Sequence, residues 1–178
     1  MGDPIKTRKK YSSPRHPWEK SRIDEEAEIT KNYAVKNKKE IWKMNSMLKN
    51  FKYQAKKLSS LNTKQAEKET KLLFKRLQNM ALLKEPSMDS ILNLKLEDIM
   101  ERRLQTILQK KGFARTVKQA RQFITHGHVG IGSKIITSPS YLVLEEEESK
   151  LSFKSGSGLN DKDHPERIMP KVKQDAKG

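Results

Sequence analysis

The sequence predicts an α+β chain. A mostly helical N-terminal region precedes a small module of two helices and a short antiparallel sheet, with an extended basic N-terminal arm and a charged C-terminal tail. Three observations carry this. Apolar residues recur at helical spacing through residues 36–60. The hydrophobic period switches from helical to alternating just after Gly127. Only 34% of the 178 residues are hydrophobic, against 38 Lys+Arg and 22 Asp+Glu, which leaves too little apolar surface for one large core.

In chain order the expected organisation is an arm over 1–22, a helical domain over 23–95, a compact module with trailing strands over 96–158, and a tail over 159–178. The arm holds Lys6, Arg8, Lys9, Lys10 and Arg15 with Pro14 and Pro17 and shows no period, so it reads as extended chain. It is either a solubilising tail or a segment that orders on a polyanion. Residues 23–30 are an acidic run, Asp24, Glu25, Glu26 and Glu28. Residues 31–84 follow with fifteen basic and three acidic side chains and hold most of the net charge of +16.

Within that stretch, Ile41, Met44, Leu48, Phe51, Ala55 and Leu58 define one face of a helix over residues 36–60, with Asn37 and Glu40 spaced as a capping box. Lys39, Lys43, Lys49, Lys56 and Lys57 fall on the other side. That face is either solvated or, since like charges crowd it, neutralised by phosphates. A second helix over 63–83 places Ala66, Leu73, Leu77 and Met80 inward, with Asn62 as the expected cap; the two stripes suit an antiparallel pair. Pro86 closes the region, and Met88 to Leu94 reads as one or two helical turns.

In the module, Met100, Leu104, Ile107 and Leu108 predict one helix ending at Gly112. Thr116 and Gln119 cap a second, whose inner face is Val117, Ala120, Phe123 and Ile124 and which ends at Gly127. His128 to Ile131 and Lys134 to Thr137 read as strands around a type II′ turn at Gly132-Ser133, and Tyr141 to Leu144 as a third strand.

Several function classes are excluded or weakened. There is no Cys, hence no disulfide framework, Cys-ligated metal or thiol chemistry. His126 and His128 are too few ligands for a metal site and read instead as flanking a turn, with one imidazole available to a ligand. The run Glu145 to Glu148 reads as solvated charge. No nucleophile elbow, P-loop or dinucleotide fingerprint occurs, so no catalytic residue and no cofactor is expected. No apolar run approaches the roughly 18 residues of a membrane span, and the N-terminus lacks a signal-peptide core, so a cytoplasmic location without membrane contact is expected. A pI near 9.9 calls for a polyanionic partner, with nucleic acid the leading class.

The segments Glu101-Arg-Arg-Leu-Gln, Gly112-Phe-Ala-Arg-Thr, Lys118-Gln-Ala-Arg-Gln-Phe-Ile-Thr-His-Gly-His-Val and Pro139-Ser-Tyr together resemble the S4 RNA-binding domain. Gly2-Asp3-Pro4, Pro14-Arg-His-Pro-Trp, Lys38-Lys-Glu-Ile-Trp and Leu96-Glu-Asp-Ile-Met extend the likeness to the archaeal and eukaryotic-type S4 family of small-subunit ribosomal proteins, up to about residue 153. Gln105 and Ile131-Gly132-Ser133 depart from the family pattern, and no zinc site is carried over.

The resemblance implies a non-enzymatic constituent of the small ribosomal subunit that binds rRNA early and stabilises a folded junction. Its implied partners are the 5′ region of small-subunit rRNA and neighbouring ribosomal proteins, with mRNA, where it enters the subunit, as a further candidate. It implies Arg102, Arg103, Lys110, Lys111, Arg115, Thr116, Lys118, Arg121 and Gln122 as RNA-binding positions, with Arg103, Arg115 and Arg121 expected on a polar face, to which His126, His128, Lys134, the arm cations and Lys39, Lys43, Lys49 and Lys56 of the long helix are added. A non-ribosomal S4-domain factor, acting in pre-rRNA processing or ribosome rescue, and a subunit of an RNA-modifying enzyme are the alternatives.

Overall fold

The computed structural model describes residues 9–161 and 164–167. Lys6, Arg8, the Gly2-Asp3-Pro4 segment and most of the tail lie outside these residues. The chain is α+β and divides into two units. The first comprises residues 1–103 and 142–145; the second comprises 104–141 and 146–178.

In the first unit the helices are α1 (Lys20–Tyr33), α2 (Lys38–Ser59), α3 (Lys64–Asn79), α4 (Met88–Asn93) and α5 (Leu96–Glu101). Helix α2 is central and packs against each of the others. All six residues of its apolar stripe are buried and join Leu73, Leu77, Ile91, Ile99 and Met100 in one core. The helix starts without a side-chain cap: the Asn37 side chain makes no capping bond, and Glu40 turns to Arg103 instead. Helix α3 is capped one residue later than expected, by Thr63, whose Oγ1 accepts from the Ala66 N–H at 3.1 Å.

Helix α1, not predicted as a separate element, lies mostly within the helical domain expected from residue 23 and begins at Lys20, inside the segment read as arm. Its acidic sequence hides a buried anchor. Glu26 accepts from Arg22 Nη1 at 2.6 Å and Trp42 Nε1 at 2.9 Å, and Lys38 Nζ lies 3.2 Å from its other oxygen. Burial pushes this carboxyl up, but the bonds from Trp42, Arg22 and Lys38 prevail and hold it below its ordinary range. Arg22 also donates to the His16 and Pro17 carbonyls, and the Tyr11 ring lies 6.0 Å from Trp42, which ties the arm to α1 and α2.

The single helix expected to end at Gly112 is interrupted. The α-helix breaks at Arg102 and Arg103 and resumes as α6 (Leu104–Lys110). At the break Arg103 forms an antiparallel bridge with Leu142, and Val143 N–H donates to the Arg102 carbonyl at 3.0 Å. The expected strand at Tyr141 to Leu144 is therefore only this bridge.

The second unit holds α6, α7 (Val117–Thr125), the strands β1 (Val129–Ile131), β2 (Lys134–Ile135) and β3 (Leu151–Phe153), and a 3-10 turn at Gly158–Asn160. The sheet is antiparallel in the order β2-β1-β3, so the third strand comes ten residues after the position expected for it. Phe153 packs edge-on to Phe113 and Phe123, with centroids at 5.2 and 6.0 Å, and this pins β3 to the module. The acidic run forms one helical turn, α8 (Glu145–Glu148). The β1–β2 turn has Gly132 at φ +57°, with Ser133 absent from the left-handed residues, as a type II′ turn requires.

Candidate nucleic-acid interface

The second unit concentrates the candidate ligands on α7. Burial of Ala120, Phe123 and Ile124 fixes the inner face of this helix. At 100° per residue, Lys118, Arg121, Gln122 and Thr125 then share the opposite side. Lys118 and Gln122 are exposed and Arg121 is half-buried. Both ends are locked. Thr116 Oγ1 accepts from the Gln119 N–H at 3.2 Å, while Gln119 Oε1 accepts from the Arg115 N–H at 2.8 Å. At the other end His128 N–H donates to the Phe123 carbonyl and Gly127 N–H to the Ile124 carbonyl, both at 3.0 Å, with Gly127 at φ +72°. That is a Schellman motif, and α6 ends the same way at Gly112. The buried side of the α6–α7 pair is reinforced by Gln105, whose Nε2 donates to the Val117 carbonyl at 2.9 Å.

Around this stripe the other expected residues take individual places. Lys110 and Lys134 are exposed. Lys111 is exposed too, with Nζ donating to the Glu148 carbonyl and 3.5 Å from its carboxylate. The exposed Arg115 donates to the Pro165 carbonyl, and Gln119 Nε2 donates to that of Glu166 at 3.1 Å, so residues 165–166 lie against the α7 N-terminus. His126 is exposed, and His128 is half-buried with Nδ1 2.9 Å from Ser157 Oγ. Tyr141 donates to both carboxylate oxygens of Glu147, at 2.8 and 3.0 Å; burial, then Glu147, pushes its hydroxyl pKa up.

In the first unit, Lys9, Lys10, Arg15, Lys39, Lys49 and Lys56 are exposed, and Lys43 is half-buried. Arg102 is half-buried and donates to the Val143 carbonyl at 3.1 Å. Arg103 corrects the expectation of a polar face. Its side chain is 1% exposed and Nη2 meets Glu40 Oε2 at 2.5 Å. An Arg-Arg pair at a helix break turns one guanidinium into the core, and a carboxylate 63 residues earlier neutralises it. Sequence spacing carries no sign of that partner. The reach of Gln119 to the Glu166 carbonyl was also missed; its position at N3 of a capped helix signals only the local half of its role.

Among the described residues, no group of three or more His, Cys, Asp or Glu is arranged to hold a metal, and no helix is long and apolar enough to cross a membrane. The interface can therefore offer forked and point-charge cations, hydroxyl and amide groups, and the free N–H groups of a capped helix start, a set suited to phosphates and 2′-hydroxyls.

Comparison with known proteins agrees with this chemistry. Residues 6–101 match the ribosomal protein S4/S9 N-terminal domain, and residues 102–149 match the S4 domain. The chain is 48% identical over 169 residues to the small ribosomal subunit protein uS4 of Methanococcus maripaludis strain C7, covering 94% of this chain and 95% of that one. It is 47% identical, with the same coverage, to the proteins of that name from strains S2 and C6.

Proposed function

The chain belongs to the family of small ribosomal subunit protein uS4, and from that premise we propose that it is a structural constituent of the small ribosomal subunit that holds folded rRNA. The observation that carries the reading is the stripe of Lys118, Arg121 and Gln122 on α7, led by Arg115 and Thr116 and fixed at both helix ends by hydrogen bonds. Double-stranded RNA is recognised mainly through its backbone and shape, which asks for rigidly presented cations more than for a base-reading helix. In the first unit, the lysines of α2 and the anchored arm supply further phosphate contacts, so the protein engages rRNA through both units. Its role is binding, not catalysis; its partners are small-subunit rRNA, at the 5′ region, and neighbouring ribosomal proteins, with mRNA where it enters the subunit; its location is the cytoplasmic ribosome.

The match over residues 6–101, together with near full-length similarity to proteins named small ribosomal subunit protein uS4, favours this reading over a processing or rescue factor and over an S4 domain appended to an RNA-modifying enzyme. Sedimentation tests it. Tagged protein should remain with small subunits through a high-salt wash and should bind purified small-subunit rRNA directly. Release into the wash, with no binding to the purified rRNA, would overturn the proposal.

A further inference from the structure

A cavity of about 330 Å³ opens in the second unit beside the C-terminal end of α7, and its walls differ in kind from the cationic stripe. Gln122, Phe123, His126, His128, Ser157, His164 and Glu166 are among the residues that line it. Phe123 is buried and stands edge-on to the His128 ring, 6.4 Å between centroids and 87° between planes. The hydrogen bond between His128 Nδ1 and Ser157 Oγ holds that ring in place. The His126 ring lies 6.4 Å from it, inclined by 32°. Three histidines and the exposed amide of Gln122 thus border a concavity whose volume is at the lower end of small-ligand sites, about 300–1,000 Å³.

The chemistry of the lining selects the occupant. The negative charge of Glu166, one of the lining residues, makes the cavity a poor seat for a phosphate. A planar heterocycle fits instead: imidazole rings give it stacking surfaces, and an amide offers both a donor and an acceptor to a base edge. The phosphates belong outside, on Lys118 and Arg121, which lie within about one helical turn of Gln122 on the same face. We propose that this cavity receives one unstacked base of a bound RNA, its flanking phosphates held by the α7 stripe. The proposal rests on the RNA-binding reading above and adds to it a nucleobase site, so that contact at this point depends on a base being present and not on backbone charge alone.

The test compares two probes on the full chain at one salt concentration: a short oligoriboadenylate, and an oligomer of equal length and charge lacking the bases. Fluorescence anisotropy should show the base-bearing oligomer bound more tightly by about 5- to 150-fold, the range that base–ring stacking supplies. His126→Ala and Gln122→Ala, both at exposed positions, should bring that ratio toward one, with folding checked by circular dichroism. NMR of the unmutated protein gives an independent readout: the His126 and His128 ring signals should shift with the base-bearing oligomer and not with the abasic one. Equal binding of both oligomers to the unmutated chain, or a ratio that neither substitution changes, would overturn the base site. Adenosine monophosphate binding as tightly as the oligomer would overturn it too, assigning the cavity to a free nucleotide. In each of these cases rRNA binding persists, whereas failure of the functional reading would show as loss of rRNA and both oligomers together.

Discussion

Arg103→Met decides whether the second arginine of the pair at the α5–α6 break is a ligand for RNA or part of the fold. The guanidinium is 1% exposed and contacts Glu40 at 2.5 Å, while the Glu40 side chain keeps 19% of its surface accessible. Removing one partner of a buried pair costs about 3–5 kcal/mol, and the water reaching Glu40 moves the expectation to the lower end, about 3 kcal/mol. For a chain of this size that lowers the melting temperature by roughly 6–12 °C. Met keeps the length of the apolar stem, so the loss reports on charge more than on volume. Chemical denaturation of Arg103→Met, Glu40→Gln and the double variant closes a thermodynamic cycle, for which a coupling of at least about 1 kcal/mol is expected. The rRNA affinity of folded Arg103→Met, measured well below its melting temperature, should keep the unmutated salt slope. A stability change under about 0.5 kcal/mol together with a slope smaller by about 0.7–0.9 would refute the structural assignment and return Arg103 to the interface.

Three further outcomes follow from the same geometry. Glu26 sits below its ordinary pKa of 4.5, so its stabilisation is complete above that value and is lost as pH falls through the lower, folded one. In acid titrations followed by fluorescence, the unmutated protein should therefore lose stability below about pH 4.5 more steeply than Glu26→Gln; parallel curves would remove Glu26 as an anchor. Ala81 closes α3 with φ +50° in a Schellman motif, so Ala81→Gly should raise stability by up to about 1 kcal/mol in urea, and a loss of stability would contradict the strain argument. Changing Lys39, Lys43, Lys49 and Lys56 together to Gln should reduce the log–log salt slope of rRNA binding by at least about 2, whereas an unchanged slope would make that face of α2 scaffold only.

Where one residue and its near neighbours decide the structure, the sequence is readable. The α2 stripe shows its spacing directly, and all six of its residues are buried. The Thr116 cap and the glycines closing α6 and α7 act within five residues, and each takes the expected geometry. Long-range partners are not readable in this way. The acidic run at residues 23–30 carries no local sign of its anchor, since Trp42, which donates to Glu26, lies 16 residues on. Tyr141 to Leu144 has a stronger strand composition than Leu151 to Phe153, yet Leu142 and Val143 are taken by the backbone of Arg102 and Arg103, and β1 pairs with the later segment. The polar stripe of α7 follows from its period, whereas the cavity beside it depends on Ser157, His164 and Glu166 lying against the helix, which no local pattern announces.

The central claim is that α7 presents its cations to rRNA phosphates. It is tested most directly by the salt dependence of rRNA binding with Arg115, Lys118 and Arg121 changed together to Gln. All three side chains reach the surface of the second unit, so the variant should fold as the unmutated chain does. The log–log slope should shrink by about 2–3, at 0.7–0.9 for each phosphate no longer neutralised, and affinity at fixed salt should fall with it. A folded variant that binds small-subunit rRNA with an unchanged slope would contradict the account.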